Sequence, residues 1–539
     1  MRRSWNIVAA TIASTLVFAG CDRKASCPDC GTVVIAATGE PSSIFPPLAY
    51  ETVGRDIGDL VYERLADLQP GRSTIDEGAY VPGLASRFER MDSVTWRFSL
   101  RPGARWQDGQ PVTAADVVYS FDVFADSIVD ALARPTLESN IASVEPSDSN
   151  SVLIHFTHPY SEQLYDATYQ VRVIPRHIWE SAGPRSSWAE DTSMSRLVGS
   201  GPYRVLGWRH GQDLVLMADS SADPQPEIRR IVWRFASDPE AAANLLLSHE
   251  GDLLETAGQA GGERLARDTL FRLIPYPSAN YGLIGFRITG TRPRPSDAIL
   301  GNREVRRALV EAVDRPTVAR AIFGPETKVP PGPISQLLWI WDRGIKIQDY
   351  DTVAAGKSLD ASGWVRGSNG MRSKGGRPLR LDILVPTTSS IRRRAAEAVQ
   401  AQWKLSGIDA TISLVDFPVM QQRIEKGQFD TFVGAWLDEP SPRGLAEQWG
   451  RSGWKALNYG HYANASVDSL LLAAGNTSSA GEATRLYHEV LDSLNADAPA
   501  MFLFAPTNIA AVTRRLGDVN INPYSWLGGL QSWKFRDQR

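Results

Sequence analysis

The chain has 539 residues, 43% hydrophobic and 22% charged, with 57 basic side chains against 61 acidic ones. One hydrophobic core stops growing at roughly 250–300 residues, so a chain of this length divides into two or more lobes. A net charge of −4 provides no basic field for nucleic acid, and the three cysteines all lie in the first 30 residues, which excludes a cysteine nucleophile or a four-cysteine zinc site in the body.

The first 20 residues combine Arg2 and Arg3 with an uncharged apolar stretch from Ile7 to Gly20. That stretch is shorter than the about 20 residues a spanning helix needs, and it suits a secretory signal. Phe18-Ala19-Gly20-Cys21 resembles a bacterial lipobox, which makes Cys21 the expected lipidated N-terminus of the mature chain. Several acyl chains on one cysteine hold a protein on a membrane where a single chain does not. Asp22 resembles an inner-membrane retention signal, and Cys27 and Cys30 form either a small disulfide loop or two free thiols.

Thr32 to Ala37 reads as a buried strand, and residues 52–68 place Ile57, Leu60, Val61 and Leu65 at helical spacing. Thr95–Leu100 alternates as a half-buried strand; Thr113 and Asp116 open a helix as cap and capping-box partner. Ser151–Phe156 is a further strand, and residues 203–218 read as a hairpin. From about residue 229 strands alternate with helices: 228–235, a helix over 239–248, 380–386, a helix over 390–407, 409–417, a helix over 418–427, and 429–436. That alternation predicts βαβ units and a mostly parallel sheet. Glycine and proline clusters at 325–333 and 365–378 predict loops.

The segments Glu40-Pro41-Ser42-Ser43, Val81-Pro82-Gly83-Leu84-Ala85, Trp96 to Gly103, Trp106 to Val118, Val173 to Trp179, Gly199-Ser200-Gly201-Pro202-Tyr203, Asn302 to Ala308 and Gly407-Ile408-Asp409-Ala410 follow one another in a familiar order. In that order they resemble the family 5 extracytoplasmic solute-binding proteins of peptide and nickel ABC importers. The resemblance implies an α/β, two-lobed periplasmic-binding-protein fold (type II, cluster C) with an extra insertion subdomain. It implies a division into signal peptide 1–20, linker 21–31, lobe I from 32–60, 196–276 and 505–539, insertion 61–195, and lobe II 277–504. The chain crosses between lobes at 275–281 and 503–507, and ligand is held in the cleft.

Relatives that take peptides add the ligand as a strand and pair its ammonium with an aspartate just past a strand ending in tryptophan. Here the strand ends Gly434-Ala435-Trp436, and Asp438 and Glu439 follow. Asp438 is the candidate anchor, with Glu439 able to take the role; both also fit a solvated turn before Pro440. Trp436 either stacks over the ligand or packs internally. Glu40, Pro41, Ser42 and Ser43 are expected to present main-chain groups from the opposite lobe. No cofactor, metal or catalytic group is expected: no nucleophile, zinc or phosphate-loop motif stands in a fitting context, and the seven histidines are dispersed. The expected protein is a monomeric, lipid-anchored binding protein on the periplasmic face of the cytoplasmic membrane. It delivers a peptide-like solute to an ABC permease; an oligosaccharide, opine or metal chelate is the alternative cargo.

Overall fold

The computed structural model describes residues 31–190, 193–290 and 293–536. The signal segment, Cys21, Cys27 and Cys30 lie outside the described residues.

A seven-stranded sheet forms the first lobe, in the order Phe271–Pro277, Thr507–Thr513, Leu253–Leu254, Thr32–Thr38, Arg230–Ala236, Asp213–Ala218, Tyr203–Arg209. Thr32–Thr38 runs parallel to its two neighbours, and the outer strands pair antiparallel. Because alternate side chains point to opposite faces, Val33, Ile35, Ile231, Trp233, Leu253 and Val512 enter one core. Ala36, Ala236, Leu254 and Ala511 enter another, beneath the helix Pro239–Leu247. Asp238 caps that helix by accepting a 2.8 Å bond from the Ala241 amide.

A five-stranded sheet forms the second lobe, in the order Asp409–Val415, Arg380–Pro386, Thr431–Leu437, Asn280–Phe286, Ala500–Phe504. The first three strands are parallel, linked through the helices Ser390–Leu405 and Phe417–Glu425. Asn280–Phe286 runs against these three, and Ala500–Phe504 pairs antiparallel with it and so runs along them, which makes the sheet mixed through its last two strands. These are the strands by which the chain enters and leaves the lobe, and no βα crossover joins them to their neighbours. At that entry a Cβ on Gly282 would run into the Phe504 ring, so only glycine lets the two strands approach.

A third body has an antiparallel sheet in the order Ala85–Arg90, Thr95–Leu100, Ser151–Phe156, Ile141–Asp148, packed on the helix Ala114–Ala125 over a core that includes Trp96, Phe98, Trp106 and Ile154. The expected capping box is present there, with Asp116 accepting from the Thr113 amide at 2.8 Å.

Two expectations fail locally. The helix expected over 52–68 ends at Val61, Tyr62 is extended, and Ala66–Leu68 pairs as a strand with Tyr80–Pro82. Leu60 and Val61 serve the first lobe's core and Leu65 and Ala66 the third body's, which one helical face cannot do. The loop expected over 365–378 contains a small sheet of Val365–Arg366, Arg372–Lys374 and Arg377–Pro378. Its short strands lack an apolar alternation: Arg366, Lys374 and Arg377 are exposed, while Arg372 is buried and donates to the Ser406 and Trp364 carbonyls.

Candidate functional site

Sheet membership changes across Ser278-Ala279 and across Ala505-Pro506, and the Ser278 amide donates to the Pro506 carbonyl at 3.1 Å, tying the two crossings together. Next to them lies a cavity of about 530 Å³ whose walls come from all three bodies.

The second-lobe wall is the end of Thr431–Leu437 and the turn after it. Asp438 donates its amide to the Ala279 carbonyl at 2.8 Å, which fixes the turn against the first crossing. Its carboxylate accepts a 2.6 Å bond from the Ser335 amide and is only 9% exposed. Burial pushes this carboxyl up to about 7, the Ser335 bond offsetting only part of the cost. Glu439, beside it, is exposed and accepts from Gln170 of the third body at 3.3 Å.

The first-lobe wall is the helix Thr52–Val61, which turns Asp56 and Asp59, three residues apart, toward the cavity. Burial alone would raise Asp59, but Arg172, bonded at 2.5 Å, and Arg64, at 3.0 Å, hold it down at about 2. Asp56 is treated differently. It is 2% exposed, its Oδ2 has no hydrogen-bond partner, and burial together with the nearby Glu255 carboxylate pushes it well above the usual range. Glu255 is itself raised by burial and accepts from the Tyr276 hydroxyl at 3.4 Å. The Tyr524 hydroxyl, also bordering the cavity, is buried without a partner.

The third body is fastened to the second lobe. Arg443 meets both oxygens of Asp166, at 2.5 and 2.9 Å; Tyr160 and Asn140 also donate to Asp166, each at 2.8 Å. Ser441 donates to Glu162 at 2.7 Å, Thr74 donates to the same carboxylate, and Ser161 donates to the Gly475 carbonyl at 3.0 Å. The Arg443 guanidinium lies over the Tyr165 ring, 5.4 Å from its centroid.

The residues singled out from sequence are placed unevenly. Asp438 and Glu439 border the cavity; Glu40, Pro41, Ser42, Ser43, Gly434, Ala435 and Trp436 are not among its lining residues. Glu40 accepts from Trp208 Nε1 at 2.6 Å and from the Gly211 amide at 2.7 Å, tying the first strand's exit to the 203–209/213–218 hairpin. Ser42 donates to Glu51 at 2.9 Å, and Ser43 accepts from the Phe45 amide. Pro41 and the Ser43 carbonyl press on Gly54 of the helix that carries Asp56. Gly434 and Ala435 pair with Leu283 and Gly282, and Trp436 lies parallel to Tyr281, 6.3 Å between centroids. Beyond Phe432, however, the other edge of this strand has no ladder partner, since Arg380–Pro386 pairs with it only at Thr431 and Phe432. The sequence reading missed Asp56, Asp59, Arg64, Arg172 and Tyr524. The one legible signal was two acids at i and i+3 beside the apolar positions of an amphipathic helix.

Gly201 of the Gly-Ser-Gly-Pro-Tyr segment donates to the Val61 carbonyl at 2.8 Å, sealing the chain's return from the third body against its departure. Among the described residues no helix is long and apolar enough to cross a membrane, and no three His, Cys, Asp or Glu side chains are grouped to hold a metal ion.

Comparison with known proteins agrees with this architecture. Protein XP55 of Streptomyces lividans is 26% identical over 484 residues, covering 88% of this chain and 83% of that protein. The oligopeptide-binding protein AppA of Bacillus subtilis is 22% identical over 512 residues, covering 93% and 91%. The solved structure of AppA in complex with a nonapeptide superposes with a TM-score of 0.74 at 21% identity, covering 94% of this chain and 99% of that one. NikZ from Campylobacter jejuni in complex with Ni(L-His) gives the same three values for TM-score, identity and coverage of this chain, and covers 99% of its own. These are two-lobed type II periplasmic binding folds. The model of the bacterial extracellular solute-binding proteins, family 5, matches residues 79–456, and with that span the chain belongs to this family, the substrate-binding proteins of ABC transporters.

Proposed function

We propose that this protein captures a peptide-like solute by its free ammonium group and delivers it to the permease of an ABC importer, as a monomer held by lipid on Cys21 at the periplasmic face of the cytoplasmic membrane. The observation that carries the reading is Asp438, a carboxylate buried at the cavity wall whose charge-stabilising neighbour is the neutral Ser335, through its amide and its hydroxyl, and not a cation. Desolvating a carboxylate costs several kcal/mol unless a cation or several donors replace water. A ligand ammonium supplies that cation, and it cannot be replaced by a neutral amide without loss. The unpaired edge beyond Phe432 gives an extended backbone a ladder to join, which explains how Gly434 and Ala435 would contribute without lining the cavity through side chains. Ser42, through Glu51, and the Ser43 carbonyl, against Gly54, support the helix that carries Asp56.

The pH dependence follows from the same carboxyl. The cation pairs with the ionised form, so affinity rises as pH passes upward through about 7 and falls again as the ligand amine deprotonates near about 8. Calorimetry with a tripeptide and its N-acetylated counterpart tests this directly. The free amine is expected to bind with proton release at pH 6, and the acetylated form weakly. Equal affinity for the two would overturn the ammonium reading. Loss of bound lipid in Cys21→Ser, with the protein either soluble or held only by its uncleaved signal, checks the anchor.

A further inference from the structure

The first-lobe wall carries more buried negative charge than its own cations answer. Arg64 and Arg172 are both committed to Asp59. Asp56, one helical turn earlier, borders the same cavity, is 2% exposed, and has an Oδ2 with no hydrogen-bond partner. Arg55 and Arg172 bear on it only through space, and neither bonds it. Near it stands Glu255, a half-buried carboxylate that accepts from the Tyr276 hydroxyl at 3.4 Å and whose charge bears on Asp56. Two neighbouring carboxylates oppose each other's ionisation unless a counter-charge is brought to them. A buried acid short of both donors and cations is destabilising to the empty protein, and a ligand cation relieves that cost.

We propose that Asp56, backed by Glu255, is a second cation site in the cleft, so that the solute is a peptide bearing a basic side chain in addition to its ammonium. This rests on the peptide reading above, with the ammonium at Asp438 on the facing lobe and the basic side chain at Asp56. The pairing makes the cleft selective by charge at two points, one on each lobe. A strand-added backbone alone does not discriminate among side chains. A solute with two positive groups bridges the lobes electrostatically, whereas one with a single group leaves one wall unanswered. Asp59, already neutralised by two guanidiniums, does not compete for it.

The test is calorimetry at pH 7 with the purified protein and tripeptides carrying lysine, norleucine or glutamate at position 2 or 3 in an alanine background. Lysine is expected to bind at least tenfold more tightly than norleucine at one of the two positions. Asp56→Asn should cut that preference below threefold, and Glu255→Gln should reduce it, with unchanged near-ultraviolet circular dichroism in both. Asp438→Asn should weaken the lysine and norleucine peptides alike. Equal binding of the two in the native protein, or a lysine preference that survives Asp56→Asn, overturns the second site while leaving the ammonium anchor standing. No binding of any of these peptides removes the peptide reading and this site with it.

Discussion

Residues 438 to 443 bury charge twice, five positions apart, and treat it in opposite ways. At Arg443 every charge is answered: both oxygens of fully buried Asp166 take a guanidinium nitrogen, Tyr160 and Asn140 donate as well, and Glu162 accepts from Ser441 and Thr74. At Asp438 the neutral Ser335, through its amide and hydroxyl, stands where Asp166 has a guanidinium. The first arrangement holds two bodies together and leaves nothing for a solute. The second leaves a buried carboxylate without a cation, the feature on which the proposed ammonium site rests. Burial by itself therefore says little about role; the fraction of hydrogen-bonding capacity already met separates the charge that builds the protein from the charge still open to a partner.

Breaking the complete network should have the largest effect. Arg443→Met leaves Asp166 and Glu162 buried without their cation, and a loss of about 3–5 kcal/mol is expected in urea unfolding. A loss below about 1 kcal/mol would show that the network is not structural. Asp438→Asn should reverse the pattern, weakening a free-amine tripeptide by about 2–5 kcal/mol in calorimetry while the ligand-free protein unfolds at an equal or higher temperature. A smaller effect sharpens the contrast through pH. The folded protein keeps the Asp438 proton up to about 7, whereas an unfolded aspartate releases it near about 3.9. Stability from this group is thus full below about pH 4 and is lost as pH rises, by roughly 1–1.5 kcal/mol between pH 6 and 8. Asp438→Asn should flatten that slope in thermal melts; an unchanged slope would assign it to other groups. Least of all, Gln170→Ala removes an exposed contact to Glu439 and should shift affinity by under about 1 kcal/mol.

Much of the scaffold was legible because it is written locally. The Val33/Ile35 alternation, the Thr113/Asp116 cap and the 203–218 hairpin each declare themselves within a dozen residues. Asp438 was legible for the same reason, standing just past a strand end. What escaped notice depends on distance along the chain. Arg172 reaches Asp59 across 113 positions and Arg443 reaches Asp166 across 277, and no periodicity encodes such meetings. Glu40 illustrates the converse: its position was plain, yet it faces the hairpin because Trp208 and Gly211 arrive there from 168 and 171 residues away. The helix that stops at Val61 belongs with these, since its amphipathic pattern continues while the cores it serves change.

The seven-stranded sheet also imposes an order of assembly. Its strand Thr507–Thr513 lies between Phe271–Pro277 and Leu253–Leu254, and just beyond it Arg515 reaches back 483 positions to the Thr32 carbonyl. Every strand of the five-stranded sheet has emerged by residue 504, whereas the first lobe still lacks the strand that joins the edge strand Phe271–Pro277 to the rest of its sheet. Long-range closure of this kind is slow to reward. A chain emerging from its N-terminus therefore finishes its second lobe first, and the first strand made waits for the last to complete the wall of the cleft.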